Sequence, residues 1–138
     1  IQEGQIWEAA LSAAKFKLSH LIAILDYNKS QIDGFVKDIM PLEPLQKKWE
    51  AFGWKVFDTD GHNMGEILKT MSLARQYAQS GGDQPVIVIA QTLKGKGVSF
   101  MENKIEWHGV APRPEEAQRA IGEIEARIAR RQADRSSQ

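Results

Sequence analysis

Apolar positions follow two periods along this chain. Trp7, Ala10, Leu11, Ala14 and Leu18 recur at helical spacing, and Ile6, Ala9, Ala13 and Phe16 add a second apolar flank. A helix this apolar is expected to be buried on most sides. Leu21 to Leu25 is an unbroken apolar run of strand length, the pattern of a central parallel strand. Pro41 and Pro44 open a second helix through about Phe52, because proline is tolerated in a first turn, and Gly53 ends it. Trp54 to Phe57 reads as a short strand, and Asp58-Thr-Asp-Gly61 as a turn. Asn63 with Glu66 three residues later makes a capping-box-like helix start. Met64, Ile67, Leu68, Met71, Ala74 and Ala78 then form one stripe, stopped by Gly81-Gly82. Pro85 to Ala90 is the clearest strand, β-branched and apolar on both faces. Lys94-Gly-Lys-Gly97 breaks the order. A last helix is expected from about Pro114 to Arg130, with Ala117, Ile121, Ile124 and Ile128 inward and Glu115 and Glu116 favouring its N-terminus. Arg130 to Gln138 is polar and expected to fray.

Helix and strand alternate, which implies an α/β fold: a parallel sheet with right-handed crossovers and helices on both faces, three layers in all. Residues 1–130 read as one partial domain and 131–138 as a polar tail. Three parallel strands leave two raw edges whose backbone groups want partners. Further strands, upstream or on another subunit, are therefore expected. The chain begins at Ile1 with residues that already look helical, so it reads as a fragment incomplete at its N-terminus.

Composition changes this picture little. The 138 residues are 42% apolar and 26% charged, enough for a real core. Lysine plus arginine and aspartate plus glutamate both count 18, so no basic excess points to nucleic acid. There is no cysteine, which excludes thiolate chemistry and makes a reducing cytoplasm the simplest home. No apolar stretch approaches a membrane span.

Chemistry is expected where strands end or helices begin. The first apolar run stops at Asn28, and a polar loop with Ile32, Asp33 and Gly34 follows. Ligands of parallel sheets sit at the carboxyl ends of strands. An amide there offers a neutral oxygen to a hard cation such as magnesium, which usually arrives with phosphates. Asn-Lys-Ser is also an ordinary turn, because asparagine tolerates left-handed dihedrals, and on local pattern alone the turn is the commoner meaning. Glu3 lies where a carboxylate could simply favour a helix N-terminus. The glycines of Lys94-Gly-Lys-Gly97 allow close approach to a ligand and its lysines suit phosphate, although such a segment is often just a loop. His108, in Trp107-His-Gly109, falls in a region without periodicity, where a lone histidine is usually structural; His20 and His62 have no stronger claim. No nucleophile elbow, zinc-spaced histidine pair or nucleotide loop is present. A cofactor carrying the hard step is more plausible than side-chain chemistry alone.

Ile1-Gln-Glu-Gly-Gln-Ile-Trp-Glu-Ala-Ala10, Leu21 to Gly34, Gln91-Thr-Leu-Lys-Gly-Lys-Gly97 and Glu106-Trp-His-Gly109 resemble, in order, the diphosphate-binding domain of the transketolase family. The likeness covers most of Ile1 to about Pro112. It implies thiamine diphosphate, a divalent cation (magnesium or calcium) and transfer of a two-carbon ketol unit between sugar phosphates, the chemistry of the pentose phosphate pathway. By resemblance, the Asn28 side chain and the Ser30 carbonyl supply cation oxygens. Ile32 packs on the cofactor rings, Lys94 and His108 lie near the diphosphate and the sugar, and Glu3 is the acidic residue at a dimer contact. The family's Gly-Asp-Gly, whose aspartate is a cation ligand, would stand just before Ile1. The resemblance thus implies a homodimer, or a complex with a C-terminal transketolase subunit, and a chain not competent alone. A non-catalytic association module and a deoxyxylulose-phosphate-type relative are the alternatives.

Overall fold

The structure, a computed structural model, describes residues 1–136. It divides into two compact units, one of Ile1–Lys29 with Val36–Thr92 and one of Ser30–Phe35 with Leu93–Gln138.

The first unit is a parallel sheet with helices on both faces. Strands β1 (Ile22–Tyr27), β4 (Lys55–Asp60) and β5 (Val86–Gln91) are all parallel, in the order β1-β5-β4. The central place belongs to β5, not to the first apolar run as its composition suggested. Val86, Ile87, Val88 and Ile89 are buried, whereas Ile24 on β1 is 62% exposed. Both runs are apolar enough for either place; flanking on two sides is what distinguishes β5.

Strand alternation sends the β5 side chains into two cores. Ile87 and Ile89 join Ala10 and Ala13 of α1 (Gly4–Lys15) and Leu45 and Trp49 of α3 (Leu45–Ala51), together with Trp54. Val86 and Val88 face Ala74 and Ala78 of α4 (Met64–Gln79) on the other side. Helix α4 starts as expected: the Asn63 side chain accepts the N–H groups of Gly65 and Glu66. It ends before Gly81, which sits at φ 81.

Helix α1 is not buried on most sides. Its contact is made through Ala10 and Ala13, while Leu11 and Phe16 stay exposed. Small residues let the helix backbone lie close to the sheet. An aromatic cluster then fills the space beside it: Trp7 packs on Trp49 and Phe52, and Trp49 meets Trp54 edge-on at 5.0 Å. The Trp54 indole N–H donates to the Ala10 carbonyl at 3.0 Å, tying α1 to the strand that follows.

Other boundaries shift from expectation. The expected turn at Asp58 to Gly61 is strand through Asp60, paired in register with β5. The second helix begins at Leu45, and a four-residue helix α2 (Val36–Ile39) precedes it.

In the second unit, β2 (Ser30–Gln31) and β3 (Gly34–Phe35) form a two-stranded antiparallel hairpin. Residues 93–104 make successive tight turns, and Ile105–Trp107 is one turn of 3₁₀-helix. Helix α5 runs from Pro114 to Ser136, past the stop expected near Arg130; residues 137 and 138 of the expected tail lie outside the described residues. Ala120 is its buried position, while Ile121 and Ile128 are about half exposed. Among the described residues no helix is long and apolar enough to cross a membrane.

Candidate functional site

The three parallel strands of the first unit end on one edge, with Tyr27 and Asp60 both in register with Gln91. That edge is closely tied together. The Gln91 amide donates to Asp58 at 2.8 Å, the Thr92 hydroxyl donates to Asp26, and the Gly61 N–H donates to the Gln91 carbonyl at 2.9 Å. At Gly61 a Cβ would lie 2.5 Å from the Thr92 methyl, so the turn closes tightly over the end of β5. Thr59, 6% exposed, keeps a buried hydroxyl without a hydrogen-bond partner here.

Asn28 is the first residue beyond β1 and is half-buried. The left-handed turn its neighbourhood requires is taken by Lys29, at φ 61, and not by Asn28. Lysine adopts this conformation at a cost, whereas asparagine would adopt it readily. The left-handed conformation therefore gives no reason for an asparagine at position 28, although asparagine also suits the first position of a turn. Backbone bonds fix both neighbours: Thr92 N–H donates to the Tyr27 carbonyl and Val36 N–H to the Lys29 carbonyl.

Tyr27 adds an anchor that the sequence did not reveal. Its ring is buried at the end of β1, and its hydroxyl donates to Glu43 at 2.6 Å. The other Glu43 oxygen accepts the Leu45 N–H at 2.9 Å, at the start of α3. Burial, and then the Glu43 carboxylate, push the Tyr27 phenol up to about 12. The hydrogen bond from Tyr27, and then that from Leu45, hold Glu43 below the usual carboxylate range. The signs fix the pH window. The raised phenol contributes stability that is complete below its ordinary value of 10.0 and is lost as pH climbs towards about 12. The lowered carboxylate contributes stability that is lost as pH falls below its ordinary value of 4.5. Tyr27→Phe should therefore cost about 1.5–3 kcal/mol near neutrality, the worth of a hydrogen bond to a charged group. Its melting temperature should approach that of the unmodified protein above about pH 10; a pH-independent difference would refute the link.

Glu3 occupies the N-cap position of α1 with extended backbone and is exposed; its carbonyl accepts the Ile6 N–H at 3.3 Å, but its side chain makes no capping bond to the helix. The Gln5 amide donates to its carboxylate.

The remaining expected residues lie in the second unit. Ser30 is in β2, paired with Phe35. Ile32 sits at the hairpin tip and is 75% exposed, an unusual place for a large apolar side chain. Lys94 is half-buried, and its carbonyl accepts the Asn103 N–H at 2.9 Å.

The glycines beside Lys94 approach the protein's own atoms. At Gly95, φ is 69 and a Cβ would lie 2.6 Å from the Met101 carbonyl oxygen; at Gly97 the space is taken by the Arg127 guanidinium. Close approach here serves the folding of the loop itself. Gly95→Ala should lose at least about 2 kcal/mol in denaturant unfolding, about 1–2 from the left-handed conformation alone and the rest from the carbonyl contact. Gly109→Ala meets nothing within 4 Å and should stay within about 0.5 kcal/mol of the parent protein.

His108 follows the 3₁₀ turn, and its N–H donates to the Ile105 carbonyl at 2.8 Å. Its Nδ1 is buried and has no hydrogen-bond partner among the described residues. Such an orphan costs free energy unless something else pairs with it.

Among the described residues no group of three or more histidine, cysteine, aspartate or glutamate side chains could hold a metal ion. The oxygens expected from Asn28 and Ser30 are neutral. Each is an oxygen of the kind a hard cation accepts, and neither brings the negative charge of a carboxylate.

The model of the transketolase thiamine diphosphate binding domain matches residues 1–124. The chain belongs to this family. It is 48% identical over 123 residues to the 6-deoxy-6-sulfo-D-fructose transketolase subunit SqwG of a Clostridium species, covering 89% of this chain and 43% of that protein. It is 45% identical over 122 residues to one of the subunits of apulose-4-phosphate transketolase from Actinobacillus succinogenes, covering 88% of this chain and 42% of that one. The crystal structure of Campylobacter jejuni transketolase superposes with a TM-score of 0.79 at 30% identity, over 90% of this chain and 19% of that chain. The chain thus spans less than half the length of the curated relatives it matches. The expected α/β fold and the family resemblance both hold.

Proposed function

We propose that this chain is the cofactor-diphosphate portion of a transketolase that moves a two-carbon ketol unit between sugar phosphates in the cytoplasm. Catalysis requires further polypeptide, either more of the same chain or a second subunit. The match over residues 1–124 carries this reading. Two of the most similar relatives are themselves named as subunits, which favours a two-subunit assembly. Thiamine diphosphate supplies the carbanion chemistry that no side chain here offers.

The chain's own contribution is to bind and orient. The Asn28 amide and the Ser30 carbonyl are assigned to magnesium, or calcium in its place. Ile32, whose apolar side chain is exposed, is assigned to the cofactor rings. Lys94 offers positive charge to phosphate, and His108 offers its unpaired Nδ1 to a phosphate or sugar oxygen. Glu3 is assigned to the contact with the partner. Neutral oxygens alone leave the diphosphate charge poorly balanced, so the isolated chain should bind the cofactor weakly.

Calorimetry with thiamine diphosphate and magnesium tests this directly. The 138-residue chain alone should show little metal-dependent heat, and the chain completed by its missing portion should bind and transfer ketol units. Tight metal-dependent binding by the chain alone would refute the claim of incompleteness. A completed assembly that binds nothing would favour an association module.

A further inference from the structure

We propose that helix α5 positions the His108 imidazole, acting through Ser99, Phe100 and Trp107. The inference rests on the reading above, in which His108 faces the cofactor diphosphate or the sugar. Every contact in it lies within the second unit.

The connection starts on the helix. Glu123 accepts the Ser99 N–H at 2.6 Å with one oxygen and the Ser99 hydroxyl at 2.8 Å with the other. These bonds hold its carboxyl below the usual carboxylate range, the backbone N–H contributing most. One turn earlier, Arg119 lies 3.5 Å from Glu123 and places its guanidinium 4.5 Å from the centre of the Phe100 ring. Ser99 and Phe100 are thus gripped from the same helix face by charge-assisted bonds and a cation–π contact.

Phe100 passes this constraint to Trp107. Their rings meet edge-on at 5.5 Å, and the Trp107 indole N–H donates to the Phe100 carbonyl at 3.0 Å. An aromatic ring held both by an edge-to-face contact and by its N–H has little rotational freedom left. His108 is the next residue, its own N–H closing the turn on Ile105. The backbone that carries the imidazole is therefore referenced to α5. The buried, unpaired Nδ1 gives this rigidity a purpose. An orphan nitrogen without a fixed direction would rotate to find a partner; one held in place keeps its pairing capacity for a ligand.

The test has two arms. In the chain itself, the imidazole proton–carbon signals of His108 are followed by NMR, with His20 and His62 as internal references and His108→Gln for assignment. Ser99→Ala, Glu123→Gln and Trp107→Phe should each shift or broaden the His108 signal and leave the other two unchanged. Ser99→Ala is mild enough to keep the fold, as a thermal melt would verify. A His108 signal that stays fixed in all three variants overturns the positioning role.

In the completed enzyme, Trp107→Phe should raise the KM for thiamine diphosphate or for the ketose phosphate about threefold to tenfold. The turnover number at saturation should change less than twofold. Combined with His108→Ala, none of the three variants should add further loss, because all act through one group. Additive losses would overturn the proposal. If His108→Ala itself left both KM values unchanged while the NMR shifts occurred, the functional reading would fail and the positioning contacts would stand without it.

Discussion

Trp54→Ala should destabilise the chain by about 3–5 kcal/mol, the range for truncating a buried tryptophan. Trp54 is 5% exposed, meets Trp49 edge-on, and joins the core that Ile87 and Ile89 form with α1 and α3. Truncation removes the apolar contacts and also takes the indole donor from the Ala10 carbonyl. The two losses can be separated. Trp54→Phe keeps much of the ring volume but removes the N–H, and should cost only about 1–2 kcal/mol. Domains of this size have about 5–15 kcal/mol in total, so the alanine variant should populate the unfolded state visibly at moderate temperature. Urea unfolding followed by far-ultraviolet circular dichroism gives both values. A cost under about 1 kcal/mol for Trp54→Ala would mean that α1 is held to the sheet by something other than this cluster.

That tie between α1 and the sheet also explains why apolar periodicity overstates the burial of the helix. Large apolar residues dominate a reading by periodicity, yet Leu11 and Phe16 are exposed and Ala10 and Ala13 make the contact. Alanine contributes little to an apolar stripe but determines how closely two backbones approach. Strands β1 and β5 were legible because runs of Ile, Val, Leu and Ala bounded by polar residues have few other uses, whereas β4 carries only Val56 and Phe57 before its polar half. Which of them is central was not legible, since it depends on neighbours in space. The hairpin of Ser30–Gln31 and Gly34–Phe35 is too short to show alternation. The end of α5 beyond Arg130 reads as a polar tail, but it continues a helix in which Ala126, Ala129 and Ala133 are strong helix formers.

The candidate site was legible in a different way. Asn28, Lys94 and His108 stood out because they interrupt apolar runs or lie in aperiodic segments. What supports them is non-local and left no local mark: Glu43 on Tyr27, sixteen residues away, and Glu123 on Ser99, twenty-four residues away. One local feature could have been noticed. Lys29 between Asn28 and Ser30 had to adopt some conformation, and the left-handed one was assigned by default to the asparagine. Its occurrence at Lys29 marks stored strain beside the proposed ligand, the kind of cost that persists where the surroundings over-determine it.

The second large effect concerns the residue beside that strain. In the completed enzyme, Asn28→Ala should weaken magnesium affinity by about 10–100-fold or more, since loss of an outer-sphere partner alone commonly costs that much. Cofactor retention should fall with it, because in the proposed site the cation would help hold the diphosphate to the protein. Saturating magnesium should restore much of the turnover, as mass action refills a weakened site. A turn former would behave otherwise: its loss would lower stability and leave the magnesium dependence unchanged. Lys29→Gly provides the comparison. Relief of the left-handed strain should stabilise the turn by up to about 1–2 kcal/mol, with magnesium affinity intact if Asn28 keeps its place. Measured together by magnesium titration of cofactor binding and by thermal melting, the two variants should separate cleanly, one moving affinity and the other stability. If Asn28→Ala moved only the melting temperature, the amide would be a structural residue and the cation would have to be held by other atoms.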